Sequence, residues 1–144
     1  MSAEFLFWLL ILHFVGDYII QTDWMAQNKV ARWWPAWVHG LTYGFGFAIL
    51  LFLSFGIDGH SVFALTVIVV THVVIDHYRL AKHVSWFKNQ IGPKAARYPF
   101  DEGMANGGYS KNTPPFMSTW LMIITDNTIH IILNFLAVVL LLTH

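Results

Sequence analysis

The chain contains no cysteine among its 144 residues, and only 11% of the residues are charged. The missing cysteine excludes disulfides, thiolate metal ligands and cysteine nucleophiles, so any metal ion must be bound by nitrogen and oxygen atoms. A soluble domain has about 25% charged residues, whereas 56% of this chain is hydrophobic. The formal net charge of zero argues against nucleic-acid binding. These values indicate a membrane protein of one domain.

Four apolar segments are long enough to cross a bilayer, which requires about 20 mostly apolar residues. We predict an all-α, polytopic membrane protein whose single domain, residues 1–144, is a four-helix transmembrane bundle. Glu4 stands where a secretory signal has positive charge, so we interpret the first segment as a mature helix. The long polar loop before the last helix is predicted to be either a functional lid or disordered. The predicted helices cover about residues 3–22, 36–55, 61–82 and 117–142, and the loop covers 83–116.

The basic residues predict the orientation of the chain. All eight Lys and Arg residues lie between the first two segments, at the end of the third, or in the loop that follows it. The positive-inside rule therefore predicts that these connections are cytoplasmic and that both termini lie outside, in a bacterial inner membrane. Six of the seven tryptophans fall near the same predicted boundary, as in an aromatic belt.

Every one of the four segments carries histidine or aspartate, which are rare inside a membrane. In three segments a His and an Asp stand four residues apart, and this spacing puts both side chains on one helix face. Because successive helices alternate in direction, we expect all of these residues in one layer, between mid-membrane and the cytoplasmic face. Ionisable residues at this depth are costly and indicate a functional site. They are His13 and Asp17, His39, His72 and Asp76, and Asp126 and His130.

The types of these residues predict a metal site. Three aspartates in an apolar interior must be protonated, paired or neutralised by a cation. One divalent ion together with Arg79, or two divalent ions, would balance their charge. Imidazole and carboxylate groups suit zinc, manganese or iron, and a four-helix bundle that projects such groups inward is a known di-metal architecture. The predicted ligands are His13, Asp17, His72, Asp76, Asp126 and His130.

For such a site we expect a metal-dependent hydrolase that opens to the cytoplasm, with metal-activated water as the nucleophile. His39, Asp17 and Arg79 are the expected catalytic residues, and His39 is either a further ligand or a general acid or base. The expected substrate is amphipathic, such as a lipid phosphate, because Lys29, Arg32 and Arg79 suit an anionic group at headgroup level. The expected substrate-binding residues are Gln21, Arg79 and Asn134.

Two other functions fit the same residues. The row of His and Asp also suits a small transporter of ions, protons or solutes, which would form a homo-oligomer. The GxxxG spacing of Gly40 and Gly44 allows such an assembly, although these glycines alternatively serve only the packing of helices within one chain. In the third interpretation the protein is a phage interaction protein of the host membrane, and its buried polar groups only hold helices together. That protein would tolerate Asp17→Asn, whereas a ligand set would not.

Four blocks carry a resemblance to a known family. They begin at His13, His39, Thr71 and Asp126 and read HFVGDYIIQTDWMAQNK, HGLTY, THVVIDHYR and DNTIH. Together they resemble an uncharacterised bacterial and phage membrane family, the domain of unknown function 3307. The resemblance spans most of the chain except residues 84–116 and implies a phage or prophage origin, but no activity. The HxxGD and HxxxD blocks are also similar to those of small membrane proteins described as metal-dependent hydrolases.

Overall fold

A computed structural model describes residues 2–142 of the protein, and every regular element in this range is helical. Residues 1, 143 and 144 of the predicted domain lie outside the described residues. The first helix continues directly into a π-helical segment, Val15–Ile20. In chain order the α-helices are α1 (Ala3–Phe14), α2 (Asp23–Asn28), α3 (Trp33–Phe55), α4 (Gly59–Tyr78), α5 (Leu80–Gln90), α6 (Phe100–Ala105) and α7 (Pro115–Leu142).

Four helical stretches of the described range are long and apolar enough to cross a membrane. This finding confirms the all-helical class and the four apolar segments. The third stretch ends at Tyr78, whereas the sequence predicted a helix to about residue 82. The helix stops because Arg79 has left-handed backbone angles, φ 50° and ψ 49°, and α5 then begins at Leu80. The stretches are Ala3–Ile20, Trp33–Phe55, Gly59–Tyr78 and Pro115–Leu142.

The chain forms two compact units, and the second comprises residues 79–129. This unit contains the whole segment predicted as a polar loop, and that segment includes most of α5, all of α6 and a 3-10 turn, Lys94–Ala96. The segment is therefore folded in this structure, and hydrogen bonds join its parts. The Tyr98 hydroxyl donates to the Gly108 carbonyl at 2.7 Å, and the Asn89 side-chain amide donates to the Tyr98 oxygen at 2.8 Å.

The first unit consists of α1 to α4, the π segment and the end of α7 from His130 onward. Helices α3 and α4 pack closely because α3 presents glycine to valine side chains of α4. A Cβ atom added at Gly40 would overlap Val73, and one added at Gly44 would overlap Val69. Side chains from α1, α3, α4 and the end of α7 fill the apolar core of this unit. Its buried residues are Phe5, Leu9, Tyr43, Phe47, Leu51, Ala64, Ile68, Ala137 and Val138.

We expect Gly40→Val to lower the free energy of unfolding by about 1–3 kcal/mol, because the added side chain overpacks the contact between α3 and α4. Gly59→Val is the matched control, since nothing lies within 4 Å of a Cβ atom added at Gly59. Thermal unfolding in detergent, followed by circular dichroism, compares the two variants. Equal melting temperatures would contradict the close packing.

Candidate metal site

Four side chains of the first unit converge on one point between the π segment, α3 and α4. They come from Asp17 in the π segment, His39 in α3, and His72 and Asp76 in α4. Both imidazoles are completely buried, and the aspartates are only 8% and 5% exposed. Each residue offers one potential ligand atom, and these four atoms lie within 4.8 Å of one another. We refer to these residues as the four-residue cluster.

The distances within the cluster are close to those of a tetrahedral metal cage. The Nε2 atoms of His39 and His72 are 2.9 Å apart. Asp17 Oδ1 lies 3.2 Å and 3.3 Å from these two nitrogens, and Asp76 Oδ2 lies 3.1 Å and 3.2 Å from them. Four ligands bound tetrahedrally at about 2.0–2.1 Å from a zinc ion are separated by about 3.3 Å. One small divalent ion therefore fits among these four atoms.

Hydrogen bonding alone leaves part of the cluster without partners. Asp17 Oδ1 is buried and has no hydrogen bond of suitable geometry within the described residues, although two imidazole nitrogens lie near it. A buried carboxylate oxygen without a hydrogen bond costs about 1–3 kcal/mol or more. A metal ion binds a carboxylate oxygen directly through a lone pair, so this contact needs no donor hydrogen. A cation bound within the cluster would satisfy Asp17 Oδ1.

Local backbone structure places Asp17 in the cluster. The π-helical turn from Val15 to Ile20 is wider than an α-helical turn, and such turns occur often at functional sites. Gly16 allows this turn to approach α3, because a Cβ atom at this position would lie 2.5 Å from the ring of Tyr43. The Asp17 side chain can then reach the imidazoles of α3 and α4.

Tyr43 connects the cluster to a second layer of buried polar groups. Its ring stacks on that of His72, with 3.7 Å between centroids and 12° between planes. Its hydroxyl lies 3.0 Å from His13 Nδ1 and accepts a hydrogen bond from the Asn134 side chain at 2.6 Å. His13 Nδ1 is also 3.6 Å from Asp17 Oδ2, the oxygen that points away from the cluster. This layer fixes the orientation of one imidazole and one carboxylate.

Asp76 is contacted from two further directions. His130 Nε2 lies 3.6 Å from its outer oxygen, Oδ1. The ammonium group of Lys29 donates to Oδ2 at 2.7 Å and to the Gln21 side-chain oxygen at 2.6 Å. Lys29 follows α2 in the connection to α3, and its side chain is 16% exposed. Asp76 therefore belongs both to the four-residue cluster and to an ion pair that reaches the surface.

The structure brings together four of the residues predicted from the sequence, including His39, the proposed additional ligand or acid–base group. His13 and His130 contact the outer carboxylate oxygens instead of the centre, and Gln21 and Asn134 bind their neighbours Lys29 and Tyr43 as described above. Arg79 is exposed where α4 ends, and half-buried Asp126 lies one turn before His130 in α7. Both belong to the second unit, and their roles as catalytic residue and ligand stay predictions.

Two site residues were not predicted in their observed roles. Tyr43 is four residues after His39 and so shares its helix face, which was an available signal. Lys29 was predicted to bind an anionic group but not to pair with Asp76. This ion pair joins positions 47 residues apart, and no local pattern in the sequence indicates it.

The comparisons with known proteins agree with the resemblance for the three blocks that begin at His13, His39 and Thr71. The block that begins at Asp126 lies outside the matched residues, and the match includes residues 84–104, which the resemblance left out. Residues 5–104 match the family described as "Protein of unknown function (DUF3307)", and the chain belongs to this family. The match contains all members of the four-residue cluster, together with Lys29 and Tyr43. No curated protein and no solved structure matches the chain.

We expect the purified protein to bind about one divalent ion per chain and Asp17→Asn to lose at least about 90% of it, because the variant lacks a ligand charge. Asp58→Asn is the matched control, since Asp58 is exposed in the turn before α4. Metal content is measured by mass spectrometry after purification without chelators or metal-affinity resin. Equal metal content in both variants would exclude the cluster as the binding site.

Tyr43→Phe should retain the metal but lower the free energy of unfolding by about 1–3 kcal/mol, because it leaves His13 and Asn134 without their shared partner. The stacking on His72 is preserved in this variant. Chemical unfolding and metal analysis of the same preparation measure both effects. A stable variant that has lost the metal would instead place the hydroxyl among the ligands.

Proposed function

We propose that this protein is a membrane-embedded, metal-dependent hydrolase that binds one divalent ion of zinc, manganese or iron in the four-residue cluster. The observation that carries the proposal is the near-tetrahedral spacing of two imidazole nitrogens and two carboxylate oxygens in a buried site. Nitrogen and oxygen ligands in this combination suit these three metals. Two aspartates also neutralise the charge of one divalent ion.

A membrane location is supported by the side chains that the helices expose. Large apolar residues lie on the surface of all four long helical stretches, including Ile19 at 77%, Leu53 at 84% and Phe63 at 55% exposure. Such surfaces are stable against lipid rather than water. The distribution of Lys and Arg favours a bacterial inner membrane, with the connection that contains Lys29 in the cytoplasm and both termini outside.

The position of Lys29 favours a catalytic metal over a purely structural one. Structural zinc sites have four protein ligands, whereas catalytic sites have three and an open position. Asp76 Oδ2 occupies the fourth corner of the cluster, and Lys29 also binds this oxygen. Asp76 would therefore be the ligand that water replaces, while Asp17, His39 and His72 would remain as three ligands. A bound divalent ion acts as a Lewis acid and lowers the pKa of coordinated water. Asp76 Oδ2 would then accept a proton from that water, with Lys29 holding the carboxylate in place.

The substrate that fits this arrangement is an amphipathic ester. Its polar end reaches the cluster from the side of Gln21 and Lys29, where the site approaches the surface. Its apolar part remains among the exposed hydrophobic side chains of the helices. A site at this depth thus acts on molecules that already lie in the bilayer.

Transport is the second candidate, because polar contacts continue from Lys29 through the cluster to Tyr43 and Asn134. A transported ion requires a path through the whole protein. Beyond Tyr43 the interior of the first unit is apolar, with Phe47, Leu51 and Val138 completely buried. Among the described residues this apolar core argues against a continuous polar path, which favours hydrolysis over transport.

We expect the metal-loaded protein in lipid micelles to hydrolyse at least one member of a panel of phosphate and carboxylate esters with acyl chains. Asp76→Asn should reduce the rate by at least about 100-fold, because it removes the group that accepts the proton. Asp58→Asn should leave the rate unchanged, and chelation followed by restoration of the metal should abolish and recover it. Metal uptake into proteoliposomes, without hydrolysis of any ester, would instead identify a transporter.

A further inference from the structure

The side chain of Lys29 is an accessible cation at the edge of the cluster, and its backbone is firmly anchored. The Lys29 N–H donates to the Met25 carbonyl at 2.9 Å, and the Lys29 carbonyl lies 2.8 Å from His77 Nδ1. The ring of His77 in turn stacks on Trp33, at 3.8 Å between centroids. The start of α3 and the end of α4 thus hold the backbone of Lys29, and Asp76 and Gln21 hold its ammonium group at the edge of the cluster.

The charges around Lys29 become unbalanced when a metal binds. Asp17 and Asp76 together carry two negative charges, which a divalent ion neutralises, and imidazole ligands are neutral. Lys29 then adds one positive charge that no carboxylate of the first-unit cluster compensates. An uncompensated charge in a largely buried site is costly, so the metal-loaded site attracts an anion.

The donors at this edge match an anion that has several oxygens. The ammonium group has three donor hydrogens, and Asp76 and Gln21 accept two of them. Gln21 uses its side-chain oxygen for Lys29, and its NH₂ group remains a second kind of donor. The imidazoles of the cluster and the Lys29 ammonium group contact the same oxygen, Asp76 Oδ2, so a metal ion in the cluster would lie close to Lys29.

We propose that Lys29 and the metal of the four-residue cluster together bind a phosphate monoester group, with one oxygen on the metal and a second on the Lys29 ammonium. This inference rests on the proposed metal site and specifies the substrate class of the hydrolase. Lys29 selects phosphate over neutral carboxylate esters because phosphate supplies negative charge that compensates the ammonium group, whereas a neutral ester does not. The phosphate monoester belongs either to a lipid headgroup or to a soluble molecule.

Binding of inorganic phosphate to the Co²⁺-loaded protein tests the proposal without relying on activity. The visible spectrum of Co²⁺ changes when a new ligand binds, and a titration yields the dissociation constant. Lys29→Met should bind the same amount of Co²⁺ and raise the dissociation constant for phosphate at least about tenfold, because a charged hydrogen bond is lost. Lys29→Arg should stay within about threefold of the wild type. Lys94→Met, which removes an exposed charge of the second unit, should have no effect.

The possible outcomes separate this inference from the proposed function. A wild-type protein that binds no Co²⁺ overturns both. Normal Co²⁺ binding with equal phosphate affinity in wild type and Lys29→Met overturns only the role of Lys29. If Lys29→Met does not fold into a monodisperse protein, Lys29→Gln provides the same comparison. Titration with dihexanoyl phosphatidic acid then identifies the source, since tighter binding than inorganic phosphate indicates a lipid headgroup and equal binding indicates a soluble phosphate monoester.

Discussion

The burial of two carboxylates among apolar helices is the constraint on which the first unit depends. Asp17 and Asp76 carry like charges, are almost completely enclosed and approach the same pair of imidazoles. Isolated carboxylates in such a place would be strongly destabilising. The negative charges of the two carboxylates are compensated by imidazoles at the centre of the cluster and by the ammonium group of Lys29 at its edge. A divalent ion completes this compensation, and its binding would therefore also stabilise the fold.

Two features of α3 allow the carboxylates to be buried: glycines that let α4 approach closely, and the ring of Tyr43. Glycine at positions 40 and 44 lets α3 approach α4, so the imidazoles of neighbouring helices can share one space. Tyr43 then covers His72 on one side and binds two buried polar groups with its hydroxyl. The result is a small polar region whose shape is determined by rigid rings. Preorganisation of this kind is what a selective metal site requires.

The sequence predicted much of this arrangement because the signals are periodic and local. The length of the apolar segments predicted the four long helices, and the spacing of four residues predicted that His72 and Asp76 share one face of α4. The same spacing at His13 and Asp17 was less informative, because the π-helical turn separates their environments: Asp17 reaches the centre and His13 contacts its outer oxygen. The pairing of Lys29 with Asp76 was not predictable, because it depends on how the connection between α2 and α3 packs against α4. The left-handed backbone conformation of Arg79 likewise depends on tertiary structure.

The π-helical turn also determines which residues face outward on the first helix. Each α-helical residue advances about 100° around the axis. One additional residue in a turn therefore rotates the residues that follow the turn relative to those that precede it. On one side of the turn His13 is completely buried, and on the other Ile19 is 77% exposed. Removal of a single residue between Val15 and Ile20 would convert the π-helical turn into an α-helical one. A deletion before Asp17 would turn this side chain away from the cluster, and a deletion after it would change the direction of the connection to α2. In this helix the number of residues is therefore as constrained as their identity.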